Sequence, residues 1–473
     1  MKLTEHNKYK DLSGNIILFS ISSFGHKILA FLLIPLYTNF LTTEQYGIID
    51  LIATTVNLLI PIFTLNISEA VMRFTIDDKS NDSYLGIGIK ILIKGTCILA
   101  SILTALWFLP ILLDYKQYYI WILAIYAVNS IYNIEQNYLR AVNRIPTMVI
   151  ASLLNSLIML LADVILIAVF QMGFNGYYIA MFLGMGSASI YMNVKARIHR
   201  HVKWAIHDQD TIKKACLYYC VPTIFTTLSW WVNSSLDRYF VTELCGLGEN
   251  GIYSMAYKIP SILTMFQNIF NQAWTLSAIT EFNADDPDGF FGKTYELYSS
   301  SMLLVTSGIM LFNILLSGIL YANDFFEAWH YVPMLLMSSL FSALAGYLGG
   351  IFAAVKDMKV CAYTVIISAV INTILNVLLI PRWGIQGAAV ATTVAYMVSW
   401  AGRMLFSRKY IRMKINLPKN IAGYVVLFIQ LILALTENHY YYGQIALIML
   451  LMILYFKQYK EAVSTLFRRF RKR

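Results

Sequence analysis

The chain has 473 residues, is 58% hydrophobic and 13% charged, and carries a net charge of +10; its mean hydropathy is +0.61. A soluble chain carries roughly twice that share of charge, so a water-soluble globular protein is excluded. The charge is not read as a nucleic-acid signal, because it is spread through short turns between apolar runs, and no nucleic-acid partner is expected.

From the N-terminus, the polar MKLTEHNKYKDLSG leads into a full-length apolar run with no A-x-A-like cleavage site, so it is not expected to be a removable signal peptide. Apolar runs of about 20 residues, long enough to span a bilayer, then recur to Phe456. About fourteen are read, bounded by the polar turns: 13–41, 46–75, 84–109, 117–139, 147–170, 175–195, 213–243, 251–279, 296–320, 327–353, 359–380, 384–407, 419–436 and 441–457. Only helices and closed barrels satisfy the backbone in lipid, and runs of this length are helical. The expected fold is therefore an all-α integral membrane protein of about fourteen transmembrane helices.

Counted turn by turn, about 27 Lys and Arg residues fall in the two termini and the even-numbered turns. About two (Lys116 and Arg382) fall in odd-numbered turns and about seven within spans. By the positive-inside rule both termini are expected in the cytoplasm of a multi-pass cytoplasmic-membrane protein. The densest basic segments, Lys195–Lys214, Arg408–Lys419 and the tail RRFRKR (468–473), are expected against anionic headgroups, which makes membrane lipids a partner. The five cysteines lie in or beside spans; Cys216 and Cys220, one turn apart, are read as packing residues rather than a disulfide or zinc framework.

The chain repeats itself weakly. GFNGYYIA (173–180) resembles GIQGAAVA (384–391), AVNR (141–144) resembles AVKD (354–357), and QYGIIDLI (45–52) resembles ENGIYSMA (249–256), at offsets of 211, 213 and 204 residues. The shared order suggests two pseudo-symmetric six-helix lobes, 1–205 and 206–412, with two extra helices and a basic cytoplasmic tail in 413–473. Six spans return the chain to its starting side, so the repeats are parallel, an arrangement of alternating-access transporters.

Nothing in the loops points to catalysis, and no enzyme activity is expected. Outward turns are about 5 to 10 residues, too short for an ordered loop of nucleophile, base and metal ligands. No H-E-x-x-H or G-x-S-x-G occurs, and GKT at 292–294 has Pro287 where a phosphate loop has its first glycine, so it is read as a turn.

Charge within a span costs several kcal/mol and is usually retained for binding or relay. Lys27 falls about 14 residues, or roughly 20 Å, into the first span. Lys258 and the pair Asp237-Arg238 lie in the outer parts of spans 8 and 7, and Arg73 ends span 2 with Glu69 one turn earlier on the same face. Lys27, Arg73, Arg238 and Lys258 could together line a cationic cavity for a phosphorylated substrate. Alternatively, Glu69 and Arg73 form a structural pair, and Arg238 only neutralises Asp237 or Glu243. Glu135 joins a polar stripe with Asn129, Asn133 and Asn137 that glues helices together. Asp163 either relays a proton or pairs with a lysine of another span.

The stretch WWVNSSLDRYF…NGIYSMAYKIP (230–260) resembles polysaccharide transport proteins, the Wzx-like repeat-unit flippases related to lipid II flippases and MATE multidrug exporters. FLLIPLYTNFLTTEQYG (31–47), EAVMRF (69–74), YLRAVNR (138–144) and INTILNVLLIPRWGIQGAAVATTVAY (371–396) carry the same likeness along nearly the whole chain. The resemblance implies transfer of a polyprenyl-pyrophosphate-linked oligosaccharide to the outer leaflet on an ion gradient, for O-antigen, capsule or exopolysaccharide synthesis. A polysaccharide polymerase and assembly proteins are the further partners it suggests. It also implies V-shaped halves, a cationic central cavity and extra helices that guide a lipid tail.

By the same resemblance, sodium would bind at Asp237, Asn372, Asn376 and Thr392 with the Ala388 carbonyl; no other cofactor is implied, and the coupling ion is sodium or a proton. Asn372/Asn376 and Ala388/Thr392 are each one helical turn apart, so each pair can face one ion. Asn376 stands where an acid would strengthen the site, Arg238 opposes a cation beside Asp237, and the asparagines could equally be interhelical glue. The alternatives are a MATE-like cation-coupled drug exporter, a membrane polymerase or ligase of lipid-linked glycans, and a non-transporting scaffold.

Overall fold

The structure is a computed structural model that describes residues 25, 27–78, 81–108, 116–204, 209–436 and 441–470, with side chains except at 272, 276 and 461–470. The N-terminal segment and first half of the first expected span, and the basic tail 468–473 apart from the helical backbone of 468–470, lie outside these described residues. Among the described residues every element is helical. Among these residues seven helices are long and apolar enough to cross a membrane, or eight if one bent pair is a single span.

The chain divides into two compact units, Met1–Trp231 and Val232–Arg473. The first unit contains α1 (Lys27–Phe40), α2 (Thr43–Phe63), α3 (Ile67–Asp77), α4 (Ser83–Trp107), α5 (Lys116–Ala141), α6 (Ile145–Asp163), α7 (Gly173–Ala196) and the short α8 (Ile198–His201). The unit boundary lies within α9 (Gln209–Cys245), whose first part belongs here. A capping box starts α2: the Gln45 N–H donates to the Thr42 hydroxyl and the Thr42 N–H to the Gln45 side chain. Cys216 and Cys220 pack in the unit's apolar core with Ile67, Val71, Leu85 and Leu139.

The run 46–75, read as one span, is two helices. Pro61 sits near the end of α2, and Leu65 and Asn66 take left-handed φ of 54° and 52° before α3 begins. Hydropathy is continuous across that break, so composition does not reveal it. Likewise 251–279 is α10 (Leu247–Ala256) and α11 (Pro260–Thr280), because Pro260 cannot donate into a continuing helix. The run 296–320 is α12 (Phe290–Leu311) and α13 (Asn313–Leu320), bent by 61°.

The second unit is organised on α14 (Val332–Ala354), which is apolar all round and almost wholly buried, as a central helix must be. Gly350 lets the Trp274 indole of α11 reach the helix: a Cβ there would lie 2.5 Å from its Nε1, which donates to the Tyr347 carbonyl at 2.7 Å. The GKT of 292–294 is helical rather than a turn. Gly289, at φ +66°, turns the chain into α12, and the Asp286 carboxylate accepts the Phe291 and Gly292 N–H groups at 3.1 Å, capping the helix. Gly292 is needed for packing, since a Cβ would meet the Lys414 carbonyl oxygen at 2.5 Å.

The long segment α15 (Lys359–Ser407) is a hairpin of two arms. It breaks at Gly384, where φ 54° and ψ −137° are open only to glycine. Three residues on, a Cβ at Gly387 would lie 2.6 Å from the Leu379 carbonyl, so the arms touch backbone to backbone. The first arm is apolar outside and polar inside: Tyr363, Ile367, Val370, Ile374 and Val377 are exposed, while Thr364, Ser368, Asn372 and Asn376 are buried. That is the pattern of a helix with lipid on one side and protein on the other. Finally α16 (Leu417–Ala434) and α17 (Tyr441–Phe470) pack on α12, where Ser307 and Gln430 exchange two hydrogen bonds and Tyr459 donates to Ser300.

The two G-x-x-G segments each begin on a glycine of left-handed φ. Gly173 has φ +57° and Gly384 φ +54°, and the AVNR and AVKD segments each place a left-handed residue at the third position, Asn143 (61°) and Lys356 (58°).

Candidate cation-binding site

Asp237 on α9 is 1% exposed. Its Oδ2 accepts the Tyr253 hydroxyl at 2.5 Å, the Tyr257 hydroxyl at 3.2 Å and the Thr392 hydroxyl at 3.3 Å, while Oδ1 accepts the Arg238 N–H at 3.0 Å. The two tyrosines are one turn apart at the end of α10, so their rings stand at 77° and 5.1 Å with both hydroxyls toward the carboxylate. From Thr392 the network continues: Asn372 Nδ2 donates to its hydroxyl at 3.2 Å, and Asn376 Nδ2 donates to Asn372 Oδ1 at 3.0 Å. The buried Asn376 Oδ1 accepts no hydrogen bond. Ala388 is fully buried on the second arm of α15, one turn before Thr392.

Arg238 forms a long ion pair with the carboxylate. Its guanidinium is 4.0 Å from Asp237, donates to the Ser234 carbonyl at 2.8 Å and lies over the Tyr257 ring at 5.1 Å. The guanidinium is thus shared between a carbonyl, a ring face and a long ion pair, and the short side-chain contacts of the buried carboxylate come from neutral hydroxyls. The group therefore offers one charge, hydroxyl oxygens with spare lone pairs and an unused amide oxygen, a set that suits a monovalent cation or a proton. Among the described residues no cluster of three or more His, Cys, Asp or Glu could hold a metal ion.

Lys258 is half-buried in the break between α10 and α11, next to Tyr257 in the chain. Lys27, also half-buried, opens α1 in the other unit. Arg73 pairs with Asp77 at 2.5 Å rather than with Glu69; both partners are about half exposed, and both candidate acids are one turn from it on the helix. Asp163 pairs with no lysine among the described residues; buried at the end of α6, it accepts the Tyr37 hydroxyl at 2.7 Å, and a π turn, Val164–Val169, follows. Glu135 leaves the stripe in which it was read. Asn133 donates to Asn129 at 2.7 Å, whereas Glu135 points to α7 and accepts from Ser189 at 2.5 Å and from Asn193.

The sequence reading did not include Tyr253 and Tyr257, although Y-x-x-x-Y one turn apart, shortly after a buried acid, was available as a signal. It also passed over Arg403, held half-buried by Thr364 and the Ala345 carbonyl.

Residues 12–276 match the family described as polysaccharide biosynthesis protein. The chain belongs to that family. A curated relative of this polysaccharide biosynthesis protein is the probable low-salt glycan biosynthesis flippase Agl15 of Haloferax volcanii, 24% identical over 240 residues, or 47% of this chain and 50% of the relative. The match thus spans about half the length of that relative. Among solved structures, the inward closed lipid II flippase MurJ matches with a TM-score of 0.71 at 15% identity, covering 94% of this chain and 100% of that one. An inward-facing MATE multidrug resistance transporter of the MOP superfamily matches with a TM-score of 0.69 at 15% identity, over 84% and 97% of the two chains. At these identities the likeness establishes the fold: this member of the polysaccharide biosynthesis family is a multi-pass membrane protein with the MurJ and MATE fold.

Proposed function

We propose that this protein is a flippase that moves a polyprenyl-pyrophosphate-linked oligosaccharide repeat unit across the cytoplasmic membrane by cation-coupled alternating access, for surface polysaccharide synthesis. The observation that carries the reading is a buried carboxylate, Asp237, held by three hydroxyls and flanked by Arg238 at 4.0 Å, in a membrane protein of the polysaccharide biosynthesis family. A buried charge within a span is costly, and a binding step for a cation is a reason to keep it. A relative named as a glycan flippase supports the substrate class.

Asp237, Asn372, Asn376, Thr392 and the Ala388 carbonyl would hold the coupling ion, sodium or a proton, which would supply the positive charge that lets Asp237 cross between states. Lys27, Arg73, Arg238 and Lys258 are the proposed contacts to the pyrophosphate, for which long basic side chains suit. The topology belonging to this reading is about fourteen spans in two six-helix lobes, 1–205 and 206–412, two further helices in 413–473, and both termini cytoplasmic. Its products would pass to a polymerase and assembly proteins making O-antigen, capsule or exopolysaccharide.

In cells that depend on the protein, Asp237→Asn or Lys27→Ala should leave lipid-linked repeat units on the cytoplasmic leaflet and strip the surface glycan. Normal surface glycan from both variants would overturn the site assignment. The likeness to a MATE transporter favours a second reading, a drug exporter; raised drug resistance on expression, with surface glycan unchanged by deletion, would select it.

A further inference from the structure

A second site lies at the other end of the α15 hairpin. Where α15 ends and α16 begins, a cavity of about 290 Å³ opens between the two helices and α12, with Tyr295, Trp400, Met404 and Tyr424 among its walls. Asn420, one turn into α16, lines it and is 2% exposed, yet neither its Oδ1 nor its Nδ2 has a hydrogen-bond partner. Native proteins keep few such groups, and each asks for a polar atom that the fold does not supply. Arg408 lines the same cavity from its exposed rim and pairs with no carboxylate among the described residues. The loop it opens carries Lys409, Arg412 and Lys414; Arg412 lies 3.9 Å from Asp285, and the charge of Lys409 acts on Asp357.

We propose that this cavity is a binding site for one anionic glycerophospholipid of the cytoplasmic leaflet. The phosphate would sit on Arg408, the ester linkage beneath it on Asn420, and the start of an acyl chain among the aromatic and aliphatic walls. The order of groups decides the class. A phosphate with an ester carbonyl a few atoms below it matches a rim guanidinium above a buried amide, with Asn420 Nδ2 donating to the carbonyl. A polyprenyl chain carries no polar atom below its phosphates and leaves Asn420 unsatisfied. The cavity is at the small end of the roughly 300–1,000 Å³ typical of ligand pockets, so it has no room for an oligosaccharide repeat unit. The surrounding basic loop adds the charge that favours an anionic over a zwitterionic headgroup. The site is independent of the transport reading; its placement in the cytoplasmic leaflet rests on the proposed topology.

Native mass spectrometry of the detergent-purified full chain, titrated separately with phosphatidylglycerol, phosphatidylcholine and polyprenyl phosphate, tests the proposal. The wild type should saturate with one phosphatidylglycerol, bind phosphatidylcholine at least tenfold more weakly, and gain thermal stability from the former. Arg408→Gln should weaken the phosphatidylglycerol adduct at least tenfold and lose the stabilisation, and Asn420→Leu should weaken binding of both phospholipids. If Asn420→Leu fails to fold, Arg408→Gln carries the test alone. Equal adducts in wild type and Arg408→Gln, unsaturable binding, or a preference for polyprenyl phosphate would overturn it.

Discussion

At the scale of single residues, the carboxylate of Asp237 is held by three hydroxyls of unequal strength. Tyr253 donates at 2.5 Å and Thr392 at 3.3 Å. A hydrogen bond to a charged group is worth about 1.5–3 kcal/mol, which corresponds to roughly a tenfold to hundredfold change in an equilibrium. Tyr253→Phe should therefore lower transport about tenfold or more while the protein stays folded, and Thr392→Val should lower it less; initial rates at a fixed ion gradient check the order. Asp237 is legible in the sequence as an acid within an apolar run, Asn372, Asn376 and Thr392 are reached only through the family resemblance, and the four share one hydrogen-bonded chain. That Arg238 shares its guanidinium between Asp237, the Ser234 carbonyl and the Tyr257 ring was not legible, because adjacency in sequence does not say which way a guanidinium folds. Nor was the choice of Asp77 over Glu69 by Arg73, since both acids are one turn away.

At the scale of elements, two glycines make the α15 hairpin, one by conformation and one by contact. Gly387→Ala would push a methyl into the Leu379 backbone, an overpacking that costs about 1–3 kcal/mol. Its thermal midpoint in detergent should fall by several degrees, whereas Gly308→Ala, which meets nothing within 4 Å in the last turn of α12, should leave the midpoint unchanged or raise it. Outside the spans, the turn after α14 is tied to the loop after α15 by Tyr410, which donates to Asp357 at 2.5 Å. That hydrogen bond holds the Asp357 carboxyl below its ordinary range and pushes the Tyr410 phenol up. The tie is thus intact at neutral pH and is lost as acid protonates Asp357 below the usual carboxylate range, or as alkali ionises Tyr410 above the usual phenol range. Tyr410→Phe should remove this contribution, so its thermal midpoint should vary less than that of the wild type between pH 7 and pH 3. The helical character of these elements follows from hydropathy, but their breaks do not. Pro260 announces its break; Leu65 and Asn66 take left-handed conformations that no composition window registers.

At the scale of the whole molecule, hydropathy and charge balance were enough to place the chain in a membrane as helices. The recurring G-x-x-G and AV-N/K segments, spaced by 211 and 213 residues, carry matching left-handed φ angles. The unit boundary was not legible: it falls at Trp231–Val232, inside a continuous helix of 37 residues. Reporter fusions at the two termini should both read cytoplasmic if the loop charges set the topology. The central claim, that the protein carries lipid-linked glycan across the membrane on a gradient felt by Asp237, is tested most directly in proteoliposomes. They would hold the purified chain and a fluorescent polyprenyl-pyrophosphate oligosaccharide, with appearance of the glycan in the opposite leaflet read by an impermeant glycosidase. The account predicts gradient-dependent appearance with the wild type and only the protein-free background with Asp237→Asn. Wild-type vesicles at background, or Asp237→Asn vesicles as fast as wild type, would contradict it.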